Sequence, residues 1–440
     1  MAGQTMAIFD SCLKEVYLGP IQEQLDSKTI LLDKVEKNSK DLVGKYGVIP
    51  LHMSRNDGKG ARFDGGTLPT AGNQGYTVSK WKLKYNYGRI KVTGPTIAAS
   101  MNDIGAFTKA VDAEVKGMVI DLKKDFNRQL FGDSSGALCV NNSNTVTTPL
   151  TVMGLYWNAN KYLNDDQKIQ MLTVADYTTL RPLDTGTAAQ VNGNPTATSV
   201  PFDTGVFTSA VQGDLLGNFG AMYDGSGTDD DTSAKELNGL RLIVDDGNCP
   251  GDADWWNQDG TPTGDYTLGQ VDINSYPKWK ATVKESNTPR TSGIVAATRR
   301  ALDESDMDEV VDEIADNGGN VNLIITTRAI RRAYVDLLRG DKRYANSTEL
   351  KGGYTAIDFN GIPIVCDSDC TRDDMYFLTT SSLVLFENGK WDWMDKDGAI
   401  LSRVSGEDAY EGVLKKYAQL GCYARNQNGR LTDIEAGQVS

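Results

Sequence analysis

The sequence predicts an α+β fold organised around one unusually long helix, and three stretches carry that prediction. Between Asn102 and Phe131, the residues Ile104, Phe107, Val111, Val115, Met118, Leu122, Phe126 and Leu130 recur at steps of three and four, which lays one apolar stripe along a helix. Roughly 30 residues at about 1.5 Å each make a rod on the order of 45 Å long. A mean helix has only about 11–12 residues, so this one reads as a spine. Next, Val48-Ile-Pro-Leu51 and Thr77–Tyr85 read as strands flanking a stretch, Arg55–Gly75, crowded with Gly, Asn and Asp. Last, Val321–Thr326 reads as a buried strand, Arg328–Arg339 as a helix closed by Gly340, and Thr355–Val365 as a hairpin turning at Asn360-Gly361, a dipeptide suited to a type I′ turn.

The other elements follow in order. Leu13–Tyr46 is amphipathic and mostly helical in pattern, with Pro20 inside a turn and Gly44 and Gly47 as stops. In the strand after the glycine-rich tip, period-two alternation puts Trp81, Leu83 and Tyr85 on one face and Lys80, Lys82 and Lys84 on the other. A two-stranded arm without a core of its own is marginal alone, so this hairpin is expected to lie on something. Asn102 or Asp103 is placed to cap the long helix and Gly132 to end it. From Val140 to Asn287 the chain is rich in Gly, Asn, Thr and Asp, with short strand-like runs such as Leu240–Val244; its most polar part, Asn192–Asp231, reads as long loops or a surface insertion. A helix is predicted over Ser292–Ala315, strands over Met375–Thr379 and Leu383–Phe386, and a long strand over Gly412–Ala424 before a polar tail.

Composition narrows the class. At 440 residues, with 39% hydrophobic and 24% charged residues, the chain suits one large elaborated unit or two to three domains and not wholesale disorder. No run approaches the roughly 20 apolar residues that cross a bilayer, and Met1–Asp10 lacks the pattern of a secretory signal, so cytoplasmic synthesis is expected. The six cysteines are mostly far apart, which favours free, half-buried thiols over a disulfide framework. With 45 basic against 59 acidic residues, a net charge of −14, the chain lacks the basic face that neutralises phosphates and is not expected to grip DNA tightly.

Chemistry-bearing motifs are few. Gly132-Asp-Ser134-Ser-Gly136 matches the nucleophile elbow of serine hydrolases, which needs a base, normally a histidine placed after the serine. The single histidine, His52, precedes it, and the pentapeptide follows a helix where the elbow follows a strand; a Gly- and Ser-rich helix terminus is the expected role. Cys366-Asp-Ser-Asp-Cys370 lacks the second pair that a closed zinc site requires. Asp229-Asp-Asp231, Asp245-Asp246 and Asp395-Lys-Asp397 offer carboxylates, but Trp393 and Val404 occupy positions where a helix–loop–helix calcium loop needs acids, so these read as solvated acidic loops. No catalytic residue, cofactor or metal is therefore assigned. Arg328, Arg331, Arg332 and Arg339 decorate one helix, and pairing with an acidic neighbouring copy is the economical account of them.

The order of these parts, with local wording such as Lys124-Asp-Phe-Asn-Arg-Gln-Leu-Phe-Gly-Asp133, Glu236-Leu-Asn-Gly-Leu-Arg-Leu-Ile243, Asp272–Lys280, Asp358-Phe-Asn-Gly-Ile-Pro-Ile-Val-Cys-Asp367 and Asp374-Met-Tyr-Phe-Leu378, resembles the major capsid proteins of tailed bacteriophages, which have the Hong Kong 97-type fold. The resemblance covers most of the chain except about 185–265. It implies an N-terminal arm at 1–46, an extended loop at 47–98, a peripheral domain at 99–320 with the spine helix and a β-rich insertion, an axial domain at 321–403, and a return to the peripheral domain at 404–440. It also implies a structural subunit, not an enzyme, found in the virion and assembled in the bacterial host. Its partners would be its own copies in hexamers and pentamers, with portal, scaffolding and decoration proteins, and the shell would enclose double-stranded DNA without sequence-specific binding. Phe63, Leu68, Trp81 and Tyr85 are the residues expected at contacts between subunits. The arm is too short to include a scaffolding domain, and Lys59 and Lys80 give no ground for assigning a Lys–Asn cross-link. An encapsulin-like compartment, a hydrolase using Ser134 and a secreted acidic surface protein are the alternatives.

Overall fold

A computed structural model describes residues 30–95, 104–143, 149–156, 158–173, 189–202, 207, 210–222, 235–245, 267–269, 271–272, 275–285, 299–340, 347–350, 354–389, 391–394 and 402–435. Its strands form one long curved sheet, one hairpin arm, two compact sheets and a two-stranded ribbon.

The curved sheet has six strands: β1 (Glu36–Asn38), β5 (Lys84–Thr93), β20 (Leu383–Glu387), β21 (Asp392–Trp393), β22 (Ser402–Arg403) and β23 (Ala409–Cys422). β23 organises it, pairing with β5 along Ala409–Ala418 on one side and with β20, β21 and β22 on the other. The hairpin arm consists of β2 (Leu42–Val43), β3 (Tyr46–Ser54) and β4 (Gly75–Lys82). A second six-stranded sheet takes β6 (Ala137–Asn141), β7 (Leu150–Gly154), β8 (Lys168–Leu172), β9 (Ala189–Gln190), β10 (Ser199–Val200) and β11 (Leu215–Asn218) in the order β10-β7-β6-β11-β8-β9. A small ribbon, β12 (Thr267–Leu268) with β13 (Val271–Asp272), braces β4, where Lys80 donates its backbone N–H to the Gly269 carbonyl at 2.9 Å.

The last sheet has seven strands in the order β14-β24-β19-β15-β18-β17-β16. These are β14 (Thr282–Lys284), β15 (Leu323–Thr326), β16 (Ser347–Leu350), β17 (Tyr354–Phe359), β18 (Ile362–Cys366), β19 (Met375–Leu378) and β24 (Gly429–Leu431). β15 is buried along its whole length, as its apolar run predicts, and the hairpin turn has the left-handed φ values of +48° at Asn360 and +82° at Gly361 that a type I′ turn demands.

Five helices are described: α1 (Ile30–Lys34), α2 (Ile104–Phe131), α3 (Leu240–Ile243), α4 (Glu304–Asp316) and α5 (Arg328–Gly340). α2 is the predicted spine. It lies across β5 at Gly88, where any Cβ would run into Leu122 and Met118, so helix and strand approach as closely as glycine allows. Its buried C-terminal end carries Phe126, Leu130 and Phe131 into a core shared with β20, β23 and the base of the hairpin. The predicted caps Asn102 and Asp103 lie outside the described residues.

Several readings are corrected. The N-terminal helix does not reach Tyr46: Glu36–Asn38 pairs in parallel with β20, and the Asn38 side chain then accepts the N–H groups of Lys40 and Asp41 in a tight turn. Residues 13–29 lie outside the described residues. Leu240–Ile243 is a single helical turn, not a strand, buried on every side; apolar runs this short do not distinguish the two. α4 starts at Glu304, capped by Asp303, because Arg300 is held in extended pairing, its N–H on the Asp433 carbonyl at 2.9 Å. The polar stretch predicted as loops contains β10 and β11, and β11 lies inside its sheet with Leu215 and Leu216 buried. Asp245 is no solvated acid: it is buried, 3.6 Å from the Arg430 guanidinium. β14 and β24 belong to the seven-stranded sheet, while β20 and β21 belong to the curved one.

Candidate intersubunit surfaces

The hairpin arm divides into a fixed base and a free tip. At its base Gly47 lies flat on the Phe386 ring, where a Cβ would stand 2.5 Å from ring carbons, and Ile49, Leu51, Trp81 and Leu83 join the main core. Pairing runs from Tyr46↔Lys82 to His52↔Tyr76, then shifts register before Ser54↔Gly75. At that irregularity the His52 ring meets the Gln74 side chain at 2.5 Å and the Tyr76 ring at 5.1 Å. Beyond it, residues 55–74 form no strand. Their local bonds are turn chemistry: Asn56 Nδ2 donates to the Gly72 carbonyl at 2.8 Å, and Arg62 Nε to that of Thr67 at 2.9 Å.

The residues expected at contacts are not brought together. Phe63 and Leu68 stand on the tip, 94% and 81% exposed, while Trp81 is 1% exposed inside its own subunit. Trp81 is therefore corrected from a contact residue to a core residue. Tyr85 also leaves the face predicted for it. The chain breaks between β4 and β5 at Leu83, whose N–H turns to the Lys45 carbonyl, and the alternation slips so that Lys84 is buried and Tyr85 exposed. Tyr85 then begins a second surface on the outer face of the curved sheet. Its ring meets Tyr417 edge-on at 5.1 Å, Tyr87 meets the same ring at 6.0 Å, and Lys415 lies over Tyr417 at 5.8 Å. Arg89 and Lys91 extend this face and pair with Glu411 and Glu407. Tyr76 and Val78 give the hairpin an exposed apolar stripe of its own. The alternation of residues 85–91 carried the signal for Tyr87; Tyr417 becomes visible only through the pairing of β5 with β23.

Behind these surfaces, polar clusters lock the units together. Arg128 of α2 is wholly buried, 2.5 Å from Glu236 and 2.9 Å from Asp125, with the Tyr156 ring at 5.5 Å. Asn127 reaches Asp367 and Asp369, and Asp369 also holds Lys161 at 2.6 Å and Tyr162 at 2.5 Å. Burial, followed by the charge of Asp369, pushes the Asp367 carboxyl up to about 7; burial also works against Asp369, but Lys161 together with the hydrogen bonds from Tyr162 and Asn127 outweighs it and holds that carboxyl below its ordinary value. Asp374 accepts from Thr371 and Thr432, and against the effect of burial Arg241 and Arg430 bring it down to about 2.

Ser134 takes its place in this packing. It is buried just past α2 with φ +70°, and its hydroxyl donates to the Glu236 carbonyl at 3.1 Å. The Cys366 and Cys370 thiols are free and face the carbonyls of Thr327 and Asp374. Among the described residues no group of three or more His, Cys, Asp or Glu is placed to hold a metal ion. Asp229–Asp231, Asp395 and Asp397 lie outside the described residues.

No family model and no curated protein matches the chain. Among solved structures, a subunit of the cyanophage A-1(L) capsid asymmetric unit is similar over 95% of this chain and 96% of its own, with 16% identity and a TM-score of 0.55. The SrpI encapsulin complex of Synechococcus elongatus is similar at 8% identity and a TM-score of 0.48, covering 100% of this chain and 99% of its own. Microbacterium phage Oxtober96 follows at 12% identity and a TM-score of 0.43, covering 98% and 99%. The likeness to the cyanophage chain covers nearly all of both chains: this chain has the Hong Kong 97-type capsid fold.

Proposed function

We propose that this chain is the major capsid protein of a bacteriophage, a structural subunit without catalytic activity that assembles into hexamers and pentamers of an icosahedral shell around double-stranded DNA. The observation that carries this reading is the split character of the hairpin arm, whose base is rooted in the subunit core while its tip presents Phe63 and Leu68 almost fully exposed. An arm of this kind gains its stability by lying on a neighbouring copy, where each such side chain contributes about 1.5–3 kcal/mol on burial. Its target is the Tyr85–Tyr87–Tyr417 face or the sheet beside it. Contacts from the arm of one copy to the body of the next are head-to-tail, and head-to-tail contacts that close form rings. A net charge of −14 suits a wall that must not adhere to the DNA it contains. Portal, scaffolding and decoration proteins are the further partners of this reading, and the host cytoplasm is its place of assembly. The test is electron microscopy of particles formed by the expressed chain, with a nuclease-resistance assay on particles recovered from infected cells. Closed shells protecting DNA support the reading, shells filled with a cargo protein support the compartment alternative, and a monomer at every concentration contradicts both.

A further inference from the structure

Two helices of the seven-stranded unit have charges at the wrong poles. A helix favours anions at its N-terminus and cations at its C-terminus, because its unpaired N–H and C=O groups leave partial charges there. The last turn of α4 carries Glu313 and Asp316 with no basic residue, and Asp312 stands just before it; all three are exposed. The first turn of α5 carries Arg328 and Arg331 with no acid, and Arg332 follows. Arg328 and Arg332 are exposed, and Arg331 is half-buried. Earlier acids of α4 are matched within the subunit, Asp306 by Arg300 and Glu309 by Lys284. Among the described residues, Asp312, Glu313, Asp316 and Arg332 make no ion pair.

The two charge groups do not neutralise each other within one copy. α4 ends before β15 begins and α5 starts after β15 ends, so the four-residue strand, roughly 13 Å long, lies between the acidic and basic ends. The acidic last turn of α4 and the basic first turn of α5 are thus separate, and each is unfavourable for the helix that bears it. Two such ends on one subunit suit a head-to-tail neighbour, in which both mismatches are relieved at one contact.

We infer that the acidic end of α4 in one copy pairs with the basic end of α5 in the next, forming an electrostatic seam around each ring of subunits. The inference rests on the shell-subunit reading and names the contact that closes its rings. The partner is a second copy of this chain, because both halves of the complementary surface belong to it.

The test uses two full-length charge-reversal variants, Asp312→Lys/Glu313→Lys/Asp316→Lys and Arg328→Glu/Arg332→Glu. Each alone makes both poles alike and is expected to raise the critical concentration for assembly by about tenfold or more. Both should melt as subunits at or above the wild-type temperature, since the new charges match their helix poles. Mixed in equal amounts they become complementary and alternate around a ring, which restores even-membered rings and not odd ones. Recovery of hexamers without pentamers on mixing, with assembly again weakened by salt, supports the seam. Wild-type assembly by each variant alone, or failure of the mixture to recover, overturns it while leaving the shell reading intact. A wild-type chain that never assembles overturns both.

Discussion

Asp367 and Asp369 share one amide: Asn127 Nδ2 lies 3.2 Å from Asp367 Oδ1 and 2.7 Å from Asp369 Oδ2. Only Asp369 has a cation, Lys161, beside it. Two buried carboxylates two residues apart are thus driven in opposite directions, one toward the neutral form and one toward the ionised form.

That division sets a pH dependence of folding. With its folded value raised to about 7, Asp367 contributes stability that is complete below the ordinary carboxylate range near pH 4 and is lost as pH rises through 7. Asp367→Asn mimics the neutral form, so it should gain about 1–3 kcal/mol at pH 8 and change little at pH 4. Asp374, brought down to about 2, acts in reverse: its contribution is present above pH 4 and is lost as pH falls through 2. Urea titrations of wild type and Asp367→Asn at pH 4 and 8 check the first sign, and equal differences at the two pH values would contradict it.

Trp81 and Phe63, both hairpin aromatics, should fail in different ways. Trp81→Ala opens a cavity in the main core and should cost the subunit about 3–5 kcal/mol. Phe63→Ala combined with Leu68→Ala should leave subunit unfolding within about 0.5 kcal/mol of wild type, as for exposed positions, yet weaken assembly. Denaturant unfolding of dissociated subunits and light scattering of assembly separate the two outcomes.

Gly47 and Gly88 mark close approaches, to Phe386 and to Leu122 with Met118. Replacing either with alanine should destabilise the subunit by about 1–3 kcal/mol through overpacking. Gly361→Ala, at φ +82° with no atom within 4 Å of the added Cβ, should cost about 1 kcal/mol from backbone conformation alone. Thermal melts of the three variants give the comparison.

Ser134→Ala should lower stability by about 0.5–1.5 kcal/mol through the lost hydrogen bond to the Glu236 carbonyl and leave assembly unchanged. A fluorophosphonate probe should not label Ser134 in the folded protein. Stoichiometric labelling, with loss of a hydrolytic activity in the alanine variant, would revive the enzyme alternative.

The elements legible in the sequence were those with enough periodic residues to outvote their surroundings. α2 repeats its apolar stripe over eight turns or so, and Asn360-Gly361 specifies its turn locally. What was illegible depended on distant partners. Glu36–Asn38 is a strand because β20 lies beside it, Leu215–Asn218 is a strand because β6 and β8 flank it, and Arg300 is extended because Asp433 takes its N–H. Of the candidate contacts, Phe63 and Leu68 were readable as apolar residues in a polar tip. Trp81 was not, since the same alternation serves a strand facing its own core and a strand facing a neighbour. The tyrosine face was half readable, because Tyr417 meets Tyr85 across 332 residues of sequence (417 against 85).

Sedimentation and electron microscopy of the purified wild-type chain beside a variant lacking residues 57–73 test the central claim most directly. The deletion removes the tip with Phe63 and Leu68 and leaves the paired strands and Trp81 in place. Wild type is predicted to form rings or closed shells, and the deletion to remain a folded subunit, with an unchanged circular dichroism spectrum, that fails to build stable ones. A wild-type chain that stays strictly monomeric at high concentration while melting cooperatively, or a deletion that assembles shells of undiminished heat resistance, would contradict the account.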